Sequence, residues 1–202
     1  LGDVGVRSFF DAFAGSGRVS HHFRNKYKIV ANDRQSYTRV ILEAYLQNTK
    51  DPQYYLGAIS HLNSLPDTHW SKTDGWYMKM YGAPENNGSS IGLDGNPKPW
   101  VDYNARKIDS IRYEIDKMYP EDCVEKSVLL LSLMLGVSRI SNWMGHQTGY
   151  FKDWKKGKLR KLSLELPPIE SSHSYKHVVH CEDMYDIIDK VETDITYIDP
   201  PY

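Results

Sequence analysis

Asp194-Ile195-Thr196-Tyr197-Ile198-Asp199-Pro200-Pro201-Tyr202 closes the chain, and its reading decides the fold. Ile195, Thr196, Tyr197 and Ile198 are β-branched or aromatic, the types that suit a pleated strand, and a buried strand is expected here. Pro200 and Pro201 have no backbone N–H to give a ladder, so the strand must stop at Asp199. In an open α/β sheet, ligands sit just outside the carboxyl ends of the strands, which places the Asp199 carboxylate for chemistry. The two prolines fix the backbone on both sides of a carbonyl, making it a rigid acceptor beside that acid. Tyr202 adds a flat face on which a ring can stack. Taken alone, the same residues also read as a surface turn.

At 202 residues the chain is long enough for one sizeable α/β domain, or for a domain with an insertion. Its 40% apolar and 25% charged residues provide a core and give no sign of a disordered polar tract. Five Trp and fifteen Tyr exceed what packing requires and suit a binding surface. The formal net charge of -1 means that an anionic partner must be met by a local basic patch. The two cysteines, Cys123 and Cys181, stand far apart without metal-type spacing, so neither a disulfide framework nor a metal site is expected. The longest apolar run, Val128 to Val137, is too short to span a bilayer, and no signal peptide is visible. The chain begins at Leu1 rather than Met and ends on the turn just described, so it reads as a fragment of a longer polypeptide.

The amino-terminal stretch has the order strand, glycine loop, helix. Residues 7–13 suit a short strand, Ala14-Gly15-Ser16-Gly17 a loop, and the run through Phe23 a helix. Gly15 and Gly17 permit positive φ and close approach of a ligand to the backbone. The loop is neither the six-residue dinucleotide fingerprint nor a P-loop, so the bound group need not be a phosphate. A second apolar strand, Lys28-Ile29-Val30-Ala31-Asn32, ends in Asp33, sixteen residues after Gly17. An acid at this place takes ribose hydroxyls in nucleoside-binding α/β folds; a capping Asp is the alternative. Residues 37–46 then give an amphipathic helix.

The pair Phe13-Ala14-Gly15-Ser16-Gly17 and Asp199-Pro200-Pro201-Tyr202 resembles motifs I and IV of the amino-methyltransferases that use S-adenosylmethionine. Their order, with a long segment between, resembles the Dam-like N6-adenine DNA methyltransferases. The middle of the chain carries the resemblance further. Residues 49–95 read as loops and short helices. An amphipathic helix over residues 104–115 puts Ile108, Ile111 and Ile115 on one side, with Arg106, Lys107 and Arg112 largely elsewhere. A second helix, from about Glu121 to Trp143, is apolar nearly all round and is expected to be the buried helix of the insertion. Between Phe151 and Lys161 stand six cations, Lys152, Lys155, Lys156, Lys158, Arg160 and Lys161, against one acid, Asp153. Cations interleaved with aromatics compose a nucleic-acid groove, and a solvated basic face is the alternative. The segments 104–112, Ser141-Asn142-Trp143-Met144-Gly145 and Tyr150-Phe151-Lys152-Asp153-Trp154 are similar to the helical part of the same family.

The resemblance implies an α/β fold: a Rossmann-like S-adenosylmethionine-dependent methyltransferase core with a partial sheet, residues 1–48 and 176–202, and a mostly helical DNA-recognition insertion, 49–175. It implies S-adenosyl-L-methionine as cofactor. Asp11 would meet the methionine ammonium, and Phe13, Ala14, Gly15, Ser16 and Gly17 would wrap the cofactor. Asp33 would take the ribose, Asp183 the adenine amino group, and Met184 would pack on that ring, although Asp183 also reads as a helix cap. Asp199 and the Pro200 carbonyl would accept the two N–H bonds of a flipped adenine stacked on Tyr202. Arg106, Arg112, Arg139, Asn142, His146, Gln147, Lys152, Lys155, Lys156, Lys158, Arg160 and Lys161 are the expected DNA contacts. The implied function is site-specific N6-adenine methylation of double-stranded DNA by a cytoplasmic monomer, partnered with a restriction system and needing neither metal nor membrane. The same turn can hold other planar amines, which leaves RNA adenine and cytosine N4 as alternatives, beside a non-catalytic DNA- or cofactor-binding piece of a split enzyme. Two departures stand out: the family's usual segment ahead of motif I is missing, and nothing follows motif IV, so a recognisable but incomplete site is expected.

Overall fold

The computed structural model describes residues 5–69, 75–85, 88–145 and 149–200. The chain divides into two compact units, one formed by residues 1–54, 122–131 and 168–202, the other by residues 55–121 and 132–167.

The first unit carries a four-stranded parallel sheet in the order β5-β2-β1-β6. Its strands are β1 (Ser8–Asp11), β2 (Lys28–Asn32), β5 (Val178–His180) and β6 (Ile195–Tyr197). Helices α1 (Arg18–Phe23) and α2 (Ser36–Leu46) follow β1 and β2, and the single turn α7 (Met184–Ile187) follows β5. Because side chains alternate along a strand, β1 and β2 feed two separate cores. Phe9, Ile29 and Ala31 pack with Leu42 and Leu46 of α2, while Phe10, Ala12 and Val30 pack with Ile187 of α7. The sheet is therefore covered by helices on both faces. At the amino ends of the strands, His177 is buried and its Nδ1 accepts the Ile29 N–H at 3.0 Å. At the start of β1 and β6, Asp194 accepts from the Arg7 and Ser8 amides, both at 2.8 Å.

The closing strand departs from its expectation in two ways. Ladder pairing ends at Tyr197 rather than Asp199, with the Ala12 N–H donating to the Tyr197 carbonyl at 3.0 Å. The strand is also not buried: it is the outer strand of the described sheet, and Tyr197 and Ile198 are 37% and 59% exposed. Burial of a strand depends on what lies beside it, which its own sequence does not encode.

The second unit is mainly helical. It holds α3 (Leu56–Ser64), α4 (Trp76–Tyr81), α5 (Asp102–Met118) and the two-residue parallel pair β3 (Gly82–Ala83) and β4 (Trp100–Val101). Ile108, Ile111 and Ile115 are each buried to within 1% on the apolar side of α5, and each such side chain contributes about 2–3 kcal/mol of apolar burial. Glu114 of the same helix accepts from His61 and His69 at 3.0 and 2.8 Å, holding the turn after α3 to α5. Helix α6 (Val124–Ile140) divides between the units at Leu131/Ser132. Among the described residues no helix is long and apolar enough to cross a membrane.

Candidate active site

The strand order β5-β2-β1-β6 reverses direction at β1: the chain moves outward through β2 and β5, then returns to place β6 on the other side. At such a switch point the loops leaving two neighbouring parallel strands diverge and open a crevice at their carboxyl ends. The last residue of β1 is Asp11, the register partner of Tyr197, and Asp199 follows two residues beyond the end of β6.

Asp11 is 1% exposed. One carboxylate oxygen, Oδ2, accepts from the Ser20 hydroxyl at 2.6 Å and the Ser20 amide at 3.2 Å. The other, Oδ1, is buried without a partner among the described residues. Burial pushes the Asp11 carboxyl above the ordinary range, the Ser20 bonds oppose that shift, and the negative charges of Asp33 and Asp199 add to it. A buried carboxylate with one bare oxygen favours a cationic or N–H ligand over its empty state.

The glycine loop wraps back over the sheet. The Ala14 amide donates to the Asn32 carbonyl at 2.9 Å, and the Gly17 amide closes a turn on the Ala14 carbonyl at 2.8 Å. Gly17 takes φ +72° at the start of α1, a backbone conformation that favours glycine, and a Cβ there would lie 3.0 Å from Leu42 Cδ2, a contact tight enough that Leu42 must shift. Asp33 binds two backbone amides, Gly15 through Oδ2 and Gln35 through Oδ1, each at 2.9 Å. It thereby ties the loop after β1 to the loop after β2. Phe13 packs into the apolar cluster around Phe10 and Ala12, and Ser16 is exposed.

Beyond β5, Asp183 caps α7 by accepting the Tyr185 amide at 3.1 Å and pairs with Arg34 at 3.2 Å. Met184 packs on the same apolar cluster as Phe13. Two residues that the sequence reading passed over hold this end of the sheet. Ser20 orients Asp11 as described. Asn32, 1% exposed, donates to the Ala12 and Glu182 carbonyls at 3.4 and 3.2 Å and accepts the Glu182 amide at 3.1 Å, joining β1, β2 and the turn after β5. A polar side chain inside the apolar run of β2 was the available signal for Asn32; Ser20 had none. At the front of the site, Asp199 is exposed, its Oδ2 accepts the Tyr197 hydroxyl at 3.2 Å, and Pro200 follows it. Tyr202 lies outside the described residues.

In the second unit the expected DNA-contacting residues separate into two groups. Arg106 and Arg112 pair with Asp102 and Asp116 one turn along α5, at 3.2 and 3.1 Å. Arg139 pairs with Glu165 at 3.0 Å and donates to the Ser163 carbonyl at 3.2 Å. Lys158 and Arg160 both donate to the Arg139 carbonyl, at 3.1 and 3.3 Å, where α6 leaves its last carbonyls unpaired. Lys152, Lys155, Lys156 and Lys161 are exposed, with the Lys155 ammonium 4.5 Å from the centre of the Phe151 ring. Asn142, expected among the DNA contacts, is instead engaged within the fold. It is fully buried, donates to the Phe151 and Asp153 carbonyls and accepts the Lys155 amide, all at 3.2 Å. The loop has only isolated bridges, Trp143 with Tyr150 and Ser89 with Asp153, and Asn142 supplies the internal donor and acceptor for backbone groups between them and just beyond. His146 and Gln147 lie outside the described residues.

Comparison with known proteins gives the same direction. The family model of D12 class N6 adenine-specific DNA methyltransferase matches residues 2–202. Modification methylase LlaI of Lactococcus lactis subsp. lactis is 27% identical over 210 residues, covering 99% of this chain and 32% of that protein. Type II methyltransferase M.FokI of Planomicrobium okeanokoites is 29% identical, with 96% of this chain and 30% of that protein covered. For type II methyltransferase M.NlaIII of Neisseria lactamica the identity is 28%, with 96% and 55% covered. The chain thus spans about a third of the first two and just over half of the third. With its glycine loop, its terminal Asp-Pro-Pro-Tyr and a family match over nearly its whole length, the chain belongs to the D12 class N6 adenine-specific DNA methyltransferases.

Proposed function

We propose that this chain binds S-adenosylmethionine and methylates adenine N6 in a specific double-stranded DNA sequence, as the modification partner of a restriction system. The observation that carries the reading is the bare buried oxygen of Asp11 beside Asp199 at the switch point of the sheet. The fold is read as Rossmann-like, with residues 49–175 as the DNA-recognition insertion.

The residues present suit the cofactor. Asp11 Oδ1 lacks the N–H donor that an α-ammonium supplies. The loop Phe13, Ala14, Gly15, Ser16 and Gly17 offers a close backbone approach; Asp33 suits ribose hydroxyls, and Asp183 and Met184 suit the adenine amine and ring. When bound, the cofactor supplies a methyl group on a sulfonium, open to in-line attack.

The rest is the work of the chain. An adenine amine is a poor nucleophile because its lone pair is delocalised into the ring. Asp199 and the Pro200 carbonyl, as paired acceptors, take its two N–H bonds and draw the nitrogen toward tetrahedral geometry. Tyr202 stacks on the flipped base. Lys152, Lys155, Lys156 and Lys161 meet backbone phosphates, which position the duplex without reading it. Incubating the full polypeptide with labelled cofactor and duplex DNA, then digesting to nucleosides, is expected to yield N6-methyladenine. Labelled N4-methylcytosine, or RNA outcompeting duplex DNA, would replace this reading; cofactor binding with no methylated base would refute it.

A further inference from the structure

Asp199 must present a carboxylate oxygen to an incoming amine, yet it lies beyond the last ladder pair of β6 and is exposed. A side chain so placed rotates freely unless something holds it. Among the described residues its carboxylate has one hydrogen-bond donor, the Tyr197 hydroxyl, at 3.2 Å from Oδ2. Tyr197 is itself well fixed. Its carbonyl accepts the Ala12 amide at 3.0 Å, and its ring lies nearly parallel to Phe9, with centroids 6.3 Å apart and planes 22° apart. Tyr197 is also the register partner of Asp11, and paired residues of parallel strands share a face of the sheet. The hydroxyl therefore belongs to the same face as both acids of the site.

We infer that Tyr197 is a positioning residue for methyl transfer: its hydroxyl holds Asp199 Oδ2, so that Oδ1 is left to receive the N–H of the target amine. The inference rests on the proposed methyl-transfer reading. The phenol of Tyr197 is pushed above its ordinary range, chiefly by donating to Asp199 and then by the charge of that carboxylate, which gives a readout independent of turnover.

Two measurements on the full polypeptide test it. Tyr197→Phe keeps the ring and removes the hydroxyl; kcat is expected to fall about tenfold or more, the scale of one hydrogen bond to a charged group, with cofactor affinity and KM for DNA within about twofold. Separately, tyrosine labelled at Cζ, with Tyr197→Phe identifying the resonance, follows the titration of Tyr197 in wild type and in Asp199→Asn. The titration is expected at lower pH in Asp199→Asn, where the charge is gone. Wild-type kcat in Tyr197→Phe, or an unmoved Tyr197 titration in Asp199→Asn, overturns the inference. If wild type makes no methylated base, the catalytic role falls with the functional reading, while the titration still decides whether the contact exists.

Discussion

The carboxyl ends of β1 and β6 and the basic stretch Phe151–Lys161 handle charge in opposite ways. At the strand ends, Asp11 is buried with its carboxyl pushed up by burial; Oδ2 is held by Ser20, while Oδ1 stays bare among the described residues, which costs stability. In the basic stretch, Lys158 and Arg160 are engaged on the Arg139 carbonyl in the last turn of α6, and the Arg139 guanidinium pairs with Glu165. Trp154 Nε1 in the basic stretch is also buried without a partner among the described residues. It is therefore the position of the open Asp11 oxygen, at the carboxyl ends of parallel strands, that points to a ligand, whereas a charge count along a chain does not separate contacts with a partner from contacts within the fold.

The largest effect should come from the open side of that comparison. Asp199→Ala is expected to reduce methyl transfer by about 10²–10³-fold or more while leaving cofactor affinity within a few-fold, since in the proposed function its carboxylate receives the target amine. Calorimetry beside a methyl-transfer assay checks both; a matched loss of the two would make Asp199 structural. Asn142→Ala should be next, because it strands the Asp153 carbonyl and the Lys155 amide, while the Phe151 carbonyl keeps the Ser90 hydroxyl. A loss of about 2–4 kcal/mol in denaturant unfolding is expected, and full stability with altered DNA affinity would return Asn142 to the DNA-reading group.

Asp11 sharpens the comparison through pH. Its carboxyl in the fold titrates above the ordinary value of 3.8, so the ionised form opposes folding. Its contribution to stability is fully present below 3.8 and lost as pH rises through the folded value. Binding a cation has the opposite sign, because it requires the ionised form. As pH falls through the folded value, cofactor affinity should drop while the ligand-free protein gains from this group. Calorimetric titrations across pH, with Asp11→Asn as the variant that flattens both trends, measure the pair; affinity independent of pH in this range would remove Asp11 from the ammonium site.

Much of this was legible locally. The β-branched runs at 28–32 and 195–197, the glycines needing positive φ and the Ile108-Ile111-Ile115 stripe each follow from neighbours a few residues away. What escaped was set by distant partners. Asn104 holds the Arg160 carbonyl and the Leu162 amide, and Asn63 does the same for the carbonyl and amide of Leu164. Two side-chain amides therefore replace a strand along the returning segment 160–164, and no periodicity announces such a partner. The exposure of β6, the role of Ser20 and the burial of Asn142 are of the same kind. In the candidate site, the motifs themselves were legible because their residues are adjacent in sequence; the hydrogen bonds that tie the motifs together were not.

The smallest predicted effect lies inside the basic stretch itself, where adjacent lysines should differ. Lys155→Ala with Lys156→Ala removes two exposed cations and should weaken DNA binding with a salt slope shallower by up to about 2. Lys158→Ala instead removes a donor from the carboxyl end of α6, at the Arg139 carbonyl. Such a contact contributes about 0.3–1 kcal/mol, a shift in melting temperature of only a few degrees. Its salt slope should stay at the wild-type value, because an ammonium held on a carbonyl within the fold neutralises no phosphate and so displaces no counterion from DNA. Melting curves and affinity at several salt concentrations separate the two variants. If Lys158→Ala lowers the slope by about 1 and leaves the melting temperature alone, then charge in this loop faces outward throughout, and the contrast with the strand ends fails.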